Sequence, residues 1–141
     1  MEDAHFEADL RSALSALAAF AEVLSAPEFI PGEFVAAREL QDGSWQIGFS
    51  SLSDEANAFV QAAYQNGWIQ PFDWPEWRDS DEARRLLNDP ACLDRASPQE
   101  LSRLMTAIVR QDRFCDGVLL SEFENGIMAG VARRAKSLLD D

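Results

Sequence analysis

Apolar residues recur in the N-terminal part of the chain at the spacing of an α-helix. Seven of them, each one or three positions after the last, are Leu10, Ala13, Leu14, Leu17, Phe20, Ala21 and Leu24. A helix of 3.6 residues per turn places such positions on one face, so the pattern predicts a first helix over about residues 7–25. Pro27 and the pair Pro31-Gly32 follow, and proline disfavours helical geometry in the residue before it. A loop is therefore predicted after this helix.

Three serines stand where further helices are predicted to begin. Ser53 and Ser80 each precede two acidic residues, and Ser97 precedes Pro98 and Glu100 in the pattern of a capping box. A serine hydroxyl accepts a hydrogen bond from the free N–H groups of the first turn, and acidic side chains there suit the positive end of the helix dipole. The first two of these helices are predicted to end near Asn66-Gly67 and Asn88, and the third buries Leu101, Leu104, Met105 and Ile108.

Residues 38–49 lack helical periodicity and contain the pair Asp42-Gly43 between residues that alternate as strands do. The alternating residues on one side are Trp45, Ile47 and Phe49. Asp-Gly suits the tight turn that joins two antiparallel strands, so a small β-hairpin is predicted near residues 38–49.

The rest of the chain adds one connection and one further helical region. Residues 67–79 hold three of the four tryptophans and two prolines, so an irregular connection anchored by aromatic groups is predicted there. After Gly117, apolar positions predict two short helices, or one helix kinked near Gly126. With no repeat and no interdomain linker, residues 1–141 are predicted to form one mainly α domain, a bundle of about five or six helices.

The chain is strongly acidic. Twelve basic residues stand against 25 acidic ones, for a net charge of −13. Binding to phosphate backbones draws its affinity from Lys and Arg, so nucleic acid and anionic membranes are not predicted as partners. No apolar run is long enough to span a bilayer, and the N-terminal run follows acidic residues where a signal peptide needs positive charge. A cytoplasmic location is therefore predicted.

Residue types common in catalytic and metal sites are scarce. The only histidine is His5, near the N-terminus, and Cys92 and Cys115 show no CxxC spacing. No Gly-rich phosphate loop, nucleophile elbow or HExxH motif is present. The sequence therefore predicts no cofactor and no metal, and it favours a protein that is not an enzyme.

Four polar residues, Arg110, Gln111, Asp112 and Arg113, stand between two apolar blocks. On an unbroken helix Asp112 would share the apolar stripe of Met105 and Ile108, and a buried carboxylate is costly unless it is paired. Either an arginine reaches Asp112, therefore, or the helix breaks and Asp112 caps the next one. A ligand-binding or catalytic role for Arg110, Asp112 and Arg113 is the alternative to both.

The aromatic segment that includes Asp73, Trp74 and Trp77 allows two interpretations. Large aromatic side chains dominate core packing, so these groups are expected to close the core over the helix ends. Tryptophan is also enriched among the residues that dominate interfaces, so an exposed cluster would form a docking patch or a pocket wall beside Arg110 and Arg113. A pocket of aromatic groups and arginines suits an anionic, planar ligand.

The segments GWIQPFDWPEW, residues 67–77, and LMTAIVRQDRFCDGVLLSEFENGIM, residues 104–128, carry a resemblance. They contain the patterns Phe-Asp-Trp-x-x-Trp, at residues 72–77, and Arg-x-Asp-Arg-Phe-x-x-Gly, at residues 110–117. In about its second half, the chain resembles an uncharacterised bacterial family that shares both patterns. The resemblance implies a small bacterial cytosolic domain, and it supplies no activity and no catalytic residues.

Three functions are compatible with these observations. The first is a non-enzymatic interaction module that associates with itself or with another protein through the aromatic segment. The second is a binder of an anionic small molecule, or an enzyme, that uses an Arg/Asp/Trp pocket. The third is an acidic mimic of nucleic acid, because residues 1–60 hold eleven acidic and two basic residues.

Overall fold

The computed structural model describes residues 9–140, in which nine α-helices and four short strands follow one another. The helices are α1 Leu10–Ala18, α2 Ala21–Ser25, α3 Asp54–Gln65, α4 Trp74–Arg78, α5 Asp81–Asn88, α6 Pro90–Leu93, α7 Pro98–Asp112, α8 Val118–Glu124 and α9 Ile127–Asp140. The strands are β1 Gly32–Val35, β2 Arg38–Glu39, β3 Trp45–Gln46 and β4 Phe49–Leu52. The mainly α fold is confirmed, but the number of helices is larger than predicted. Helices α2, α4 and α6 have only four or five residues, too few to give a helical period in the sequence.

The first predicted helix, 7–25, divides into α1 and α2, and the start of that prediction lies outside the described residues. At the break, the Phe20 N–H donates to the Leu17 carbonyl at 3.0 Å, a tighter turn than the α-helix makes. The Phe20 ring packs edge to face on Phe59 of α3, with centroids 5.4 Å apart. Packing against α3 accompanies a break that contains neither proline nor glycine.

The three predicted helix starts are confirmed. The Ser53 and Ser80 hydroxyls accept from the N–H groups of Ala56 and Ala83, at 3.3 and 3.2 Å. At α7, the Glu100 N–H donates to the Ser97 hydroxyl at 3.1 Å. The Ser97 N–H donates to the Glu100 carboxylate at 2.9 Å, which completes the capping box.

The β-hairpin is confirmed and is longer than residues 38–49. Strands β2 and β3 pair beside the turn at Gly43, and β1 and β4 extend the antiparallel pairing to Gly32 opposite Leu52. Gly32 has a φ of +152°, and a Cβ there would lie 2.1 Å from the Ser51 carbonyl oxygen. The chain thus requires glycine where it enters the hairpin. The outer strands escaped prediction because neither alternates apolar with polar residues.

The aromatic connection is not wholly irregular, because it contains helix α4. The Asp73 carboxylate accepts from the Glu76 N–H at 3.2 Å and caps this helix. Pro75 lies in the first turn, where its missing N–H costs no hydrogen bond. The prolines that suggested a loop are therefore compatible with a short helix here.

Helix α7 lies at the centre of the fold and is almost wholly buried over residues 101–109. Helices α4 and α8 pack on α7, and α1, α2 and α8 pack on α9. Large side chains with almost no exposed surface are Leu17, Phe59, Trp68, Leu101, Leu104, Met105, Ile108, Met128 and Val131. Within residues 9–140, no helix has both the length and the apolar character to cross a membrane.

Candidate functional site

An open depression of about 400 Å³ lies where the segment before α4 and the start of α4 meet the C-terminal half of α7. We call it the α4–α7 pocket. Three of its lining residues, Thr106, Arg110 and Arg113, lie four and three positions apart on α7 and its C-cap, so they share one face of the helix. The aromatic side chains that line it are Phe72, Trp74 and Phe114.

The segment before α4 is held to α7 by hydrogen bonds. The Thr106 hydroxyl accepts from the Gln70 N–H at 3.0 Å and donates to the Trp68 carbonyl at 3.2 Å. The Ser102 hydroxyl also donates to the Trp68 carbonyl, at 2.6 Å. These contacts fix the wall of the pocket relative to its arginines. Thr106 was not selected from the sequence. The signal was that Ser102 and Thr106 lie within the apolar stripe of α7, because buried hydroxyl groups need hydrogen-bond partners.

Two aromatic pairs shape the apolar wall. The rings of Trp74 and Phe114 stack with centroids 6.3 Å apart and planes inclined by 28°. Trp74 is half-buried, whereas Phe114 is 79% exposed on the loop between α7 and α8. Phe72 packs edge to face on Trp77, at 6.2 Å. The pocket therefore exposes flat aromatic surface to solvent, and each of these rings packs against a second aromatic ring.

The two arginines of the pocket have few protein partners. Arg110 is half-buried, and Arg113 is exposed and donates from Nη2 to the Tyr64 hydroxyl at 3.4 Å. Within residues 9–140, no carboxylate oxygen lies within 4 Å of either guanidinium group. Both positive charges therefore stay available to an anion in the pocket.

Asp112 has a different role from its two neighbours. It ends α7, and its Oδ1 accepts from the Leu119 N–H, in the first turn of α8, at 3.0 Å. Gly117, the N-cap before α8, has a φ of +101°. The helix thus breaks, and Asp112 accepts a hydrogen bond from a free N–H in the first turn of the next helix. This is one of the two predicted alternatives. Asp112 joins α7 to α8 and does not line the pocket.

Asp73 and Trp77 support the pocket from behind. Asp73 caps α4, as described above, and Trp77 is buried with its indole N–H donating to Oε2 of Glu82. Glu82 also receives two hydrogen bonds from Arg103, at 2.8 and 3.1 Å. Of the six predicted site residues, the structure brings Trp74, Arg110 and Arg113 together at the pocket. The other three, Asp73, Trp77 and Asp112, make contacts that stabilise its walls.

The Glu82 carboxylate behind the pocket is held in its charged form. Burial alone would raise its pKa, but the hydrogen bonds from Arg103 and Trp77, together with nearby positive charge, lower the pKa below that of an ordinary glutamate. That positive charge belongs to Arg103 and Arg85. Glu82 is therefore a structural anion, ionised at neutral pH.

The lining of the pocket is suited to binding more than to proton transfer. The lining residues within 9–140 include no Asp, Glu, His or Cys, and the Thr106 hydroxyl already makes two hydrogen bonds. His5 lies outside the described residues. Within residues 9–140, no three His, Cys, Asp or Glu side chains are grouped so that they could hold a metal ion. The pocket thus offers two guanidinium groups and aromatic surface.

A family model matches residues 10–141, and its description is Family of unknown function (DUF6508). The chain belongs to this family. The match includes the N-terminal half, in which sequence reasoning found no motif of the resembled family. No curated protein and no solved structure matches the chain at a significant level.

This DUF6508 chain has a second exposed feature, which we call the hairpin surface. It consists of the exposed apolar side chains Trp45, Ile47 and Phe49, whose alternate positions place them on one face of the hairpin. Phe34 and Leu40 are also exposed, and the strand register places them on the other face. Trp45 is 67% and Ile47 84% exposed. The Ser50 N–H of β4 donates to Asp116 at 2.8 Å, so the base of the hairpin is tied to the loop that carries Phe114.

Proposed function

We propose that this protein binds a small organic anion with a planar apolar part in the α4–α7 pocket. The observation that carries the proposal is that Arg110 and Arg113 line the same open pocket as Trp74, without a carboxylate partner in residues 9–140. The role is binding and not catalysis, because the part of the lining that lies within residues 9–140 supplies no general base.

The chemistry of the ligand follows from the lining. Guanidinium groups recognise carboxylate and phosphate oxygens in forked, charge-assisted hydrogen bonds. A flat ring fits against Trp74 and Phe114, whose exposed surface would otherwise stay in water. In a chain of net charge −13, an anion is attracted only where positive charge is locally concentrated. Two arginines on one face of α7 supply that concentration.

Calorimetric titration with phenyl phosphate, benzoate, phthalate and adenosine monophosphate tests this proposal, with phenol as the uncharged comparison. We expect at least one anion to bind and phenol not to bind. Loss of a charged hydrogen bond costs about 1.5–3 kcal/mol. The Arg110→Gln and Arg113→Gln variants should therefore each bind roughly ten-fold or more weakly.

Arg95→Gln is the matched control, because Arg95 is exposed and does not line the pocket. It should bind as the unsubstituted chain does. Failure of every anion to bind would contradict the proposal, as would an equal loss of affinity in all three variants.

Association through the hairpin surface is a second candidate function. The observation that favours it is that three large apolar side chains, at alternate positions over residues 45–49, are exposed on one face of the hairpin, since such patches mark interaction sites. The aromatic segment, through which an interaction was first predicted, fits this role less well, because Trp77 is buried. We propose self-association, in which the same patch serves both copies.

Sedimentation velocity over a range of concentrations tests this second candidate. We expect a reversible dimer whose dissociation constant rises at least ten-fold in Trp45→Ser and in Ile47→Ser, because each substitution removes apolar area from the interface. Phe114→Ser is the control, since Phe114 is equally exposed outside the hairpin surface. A chain that stays monomeric at all concentrations would exclude this candidate.

The acidic mimic of nucleic acid receives the least support. Such a mimic needs carboxylates aligned at phosphate-like spacing, whereas those of residues 9–60 are distributed over α2, the hairpin, α3 and the segments that precede α1 and β1. The bacterial origin and the cytoplasmic location implied by the resemblance stay predictions.

A further inference from the structure

A groove of about 770 Å³ lies between α2, the loop that follows it and the first turn of α3. Its apolar residues include Val23, Phe29 and Ile30. Val23 is exposed and Ile30 is 69% exposed, whereas the Phe29 ring is half-buried and packs on Phe123 with centroids 6.3 Å apart. The groove therefore has an apolar base that is anchored to the core and open to a partner.

Every charged residue that lines this groove within the described part of the chain, residues 9–140, is acidic. They are Glu22 on α2, Glu28 on the loop and Glu55 in the first turn of α3. Within residues 9–140, none of the three forms a salt bridge. The charge of the groove thus opposes anions and favours a cationic partner.

We propose that this groove docks an amphipathic helix of a partner protein that carries an apolar stripe flanked by Lys or Arg. The stripe would cover Val23 and Ile30, and the basic side chains would meet the three glutamates. An extended peptide fits less well, because the groove lies beside helices, whose backbone groups are already paired, and offers no strand edge. Because the three lining glutamates are negatively charged, the partner helix should carry positive charge beside its apolar stripe.

This site is independent of the α4–α7 pocket. It lies on α2 and α3 and selects a cation, whereas the pocket lies on α4 and α7 and selects an anion. Each can fail in experiment while the other holds, because the two sites share no residue.

Fluorescence anisotropy with a labelled, amidated peptide of leucine and lysine arranged as an amphipathic helix tests the proposal. We expect the triple variant Glu22→Gln/Glu28→Gln/Glu55→Gln to bind at least ten-fold more weakly. Ile30→Ser should weaken binding at least three-fold, because it removes apolar contact without changing charge. We expect the circular dichroism spectra of these variants to match that of the unsubstituted chain, because the substituted positions are exposed.

Two controls separate the groove from general attraction to an acidic protein. The triple variant Glu39→Gln/Glu76→Gln/Glu124→Gln removes the same charge from exposed positions elsewhere and should bind within two-fold of the unsubstituted chain. A peptide of the same composition without helical spacing should bind at least ten-fold more weakly. Absence of binding, equal loss in both triple variants, or equal binding of both peptides would overturn the proposal.

Discussion

Replacement of Trp68 by alanine is expected to lower the free energy of unfolding by about 3–5 kcal/mol, which is the largest effect that this structure predicts for one side chain. Trp68 is fully buried, and its indole N–H donates to the Ala13 carbonyl of α1 at 3.0 Å. The substitution therefore leaves a cavity and also leaves a buried carbonyl without this donor.

Urea unfolding followed by circular dichroism measures this loss. In a chain of this length, the melting temperature should fall by roughly 6–20 °C. Trp45→Ala is the matched control, because Trp45 is two-thirds exposed on the hairpin and its loss should change stability by less than about 0.5 kcal/mol. If the two alanine variants were equally stable, Trp68 would not occupy the centre of the core.

Replacement of Arg103 by glutamine is expected to cost about 1.5–3 kcal/mol, because it removes two charge-assisted hydrogen bonds to Glu82. The side chains of Arg103 and Glu82 are only 18% and 24% exposed, so water replaces the lost contacts poorly. Glu82 would keep its bond from the Trp77 indole, and α4 and α5 would lose part of their link to α7.

Arg84→Gln is the control for that variant. Arg84 forms its ion pair with Asp81 at the surface, where the two side chains are 61% and 79% exposed. Exposed pairs contribute less than about 1 kcal/mol, so the control should lose at most a small part of its stability. If Arg84→Gln and Arg103→Gln lowered the free energy of unfolding equally, the contacts of Arg103 with Glu82 would contribute no more than an exposed ion pair.

The pH dependence of the Arg103 effect has a defined sign. The pKa of Glu82 is lowered in the folded chain, so its stabilising contribution is complete above the ordinary glutamate pKa of about 4.3 and is lost as pH falls through the lower folded value. The difference in unfolding free energy between the unsubstituted chain and Arg103→Gln should therefore stay constant at neutral pH and shrink below about pH 4. A difference that grew on acidification would contradict the assigned role of Glu82.

The candidate site was predictable only in part. Arg110, Arg113 and Trp74 were singled out by residue type, and the structure places all three at one pocket. For Asp112 the sequence left pairing with an arginine, capping of the next helix and a shared ligand role open, and the structure shows that it accepts from the N–H of Leu119 on the next helix. Periodicity alone could not choose between these roles, because the choice depends on where α7 ends and on the direction in which α8 leaves it.

Burial of the tryptophans also depended on distant contacts. Trp68 is the most buried of the four tryptophans. Its indole N–H donates to the Ala13 carbonyl of α1, and its own carbonyl accepts from the Ser102 and Thr106 hydroxyls of α7. Trp45 belongs to an alternating apolar pattern that is typical of a half-buried strand, but the face of the hairpin that carries Trp45 is exposed to solvent. Residue type and alternation are the same whether a strand faces the core or water.

The sequence by itself determined the starts of α3, α5 and α7 and the turn at Asp42-Gly43, because each depends on hydrogen bonds or dihedral angles within about four residues. The tertiary structure alone decided that Trp74 meets Phe114 and that Arg110 and Arg113 have no carboxylate partner within residues 9–140. Those outcomes depend on contacts between segments some forty residues apart in the chain. Such contacts form only after the helices pack, when the burial of apolar surface selects which faces meet.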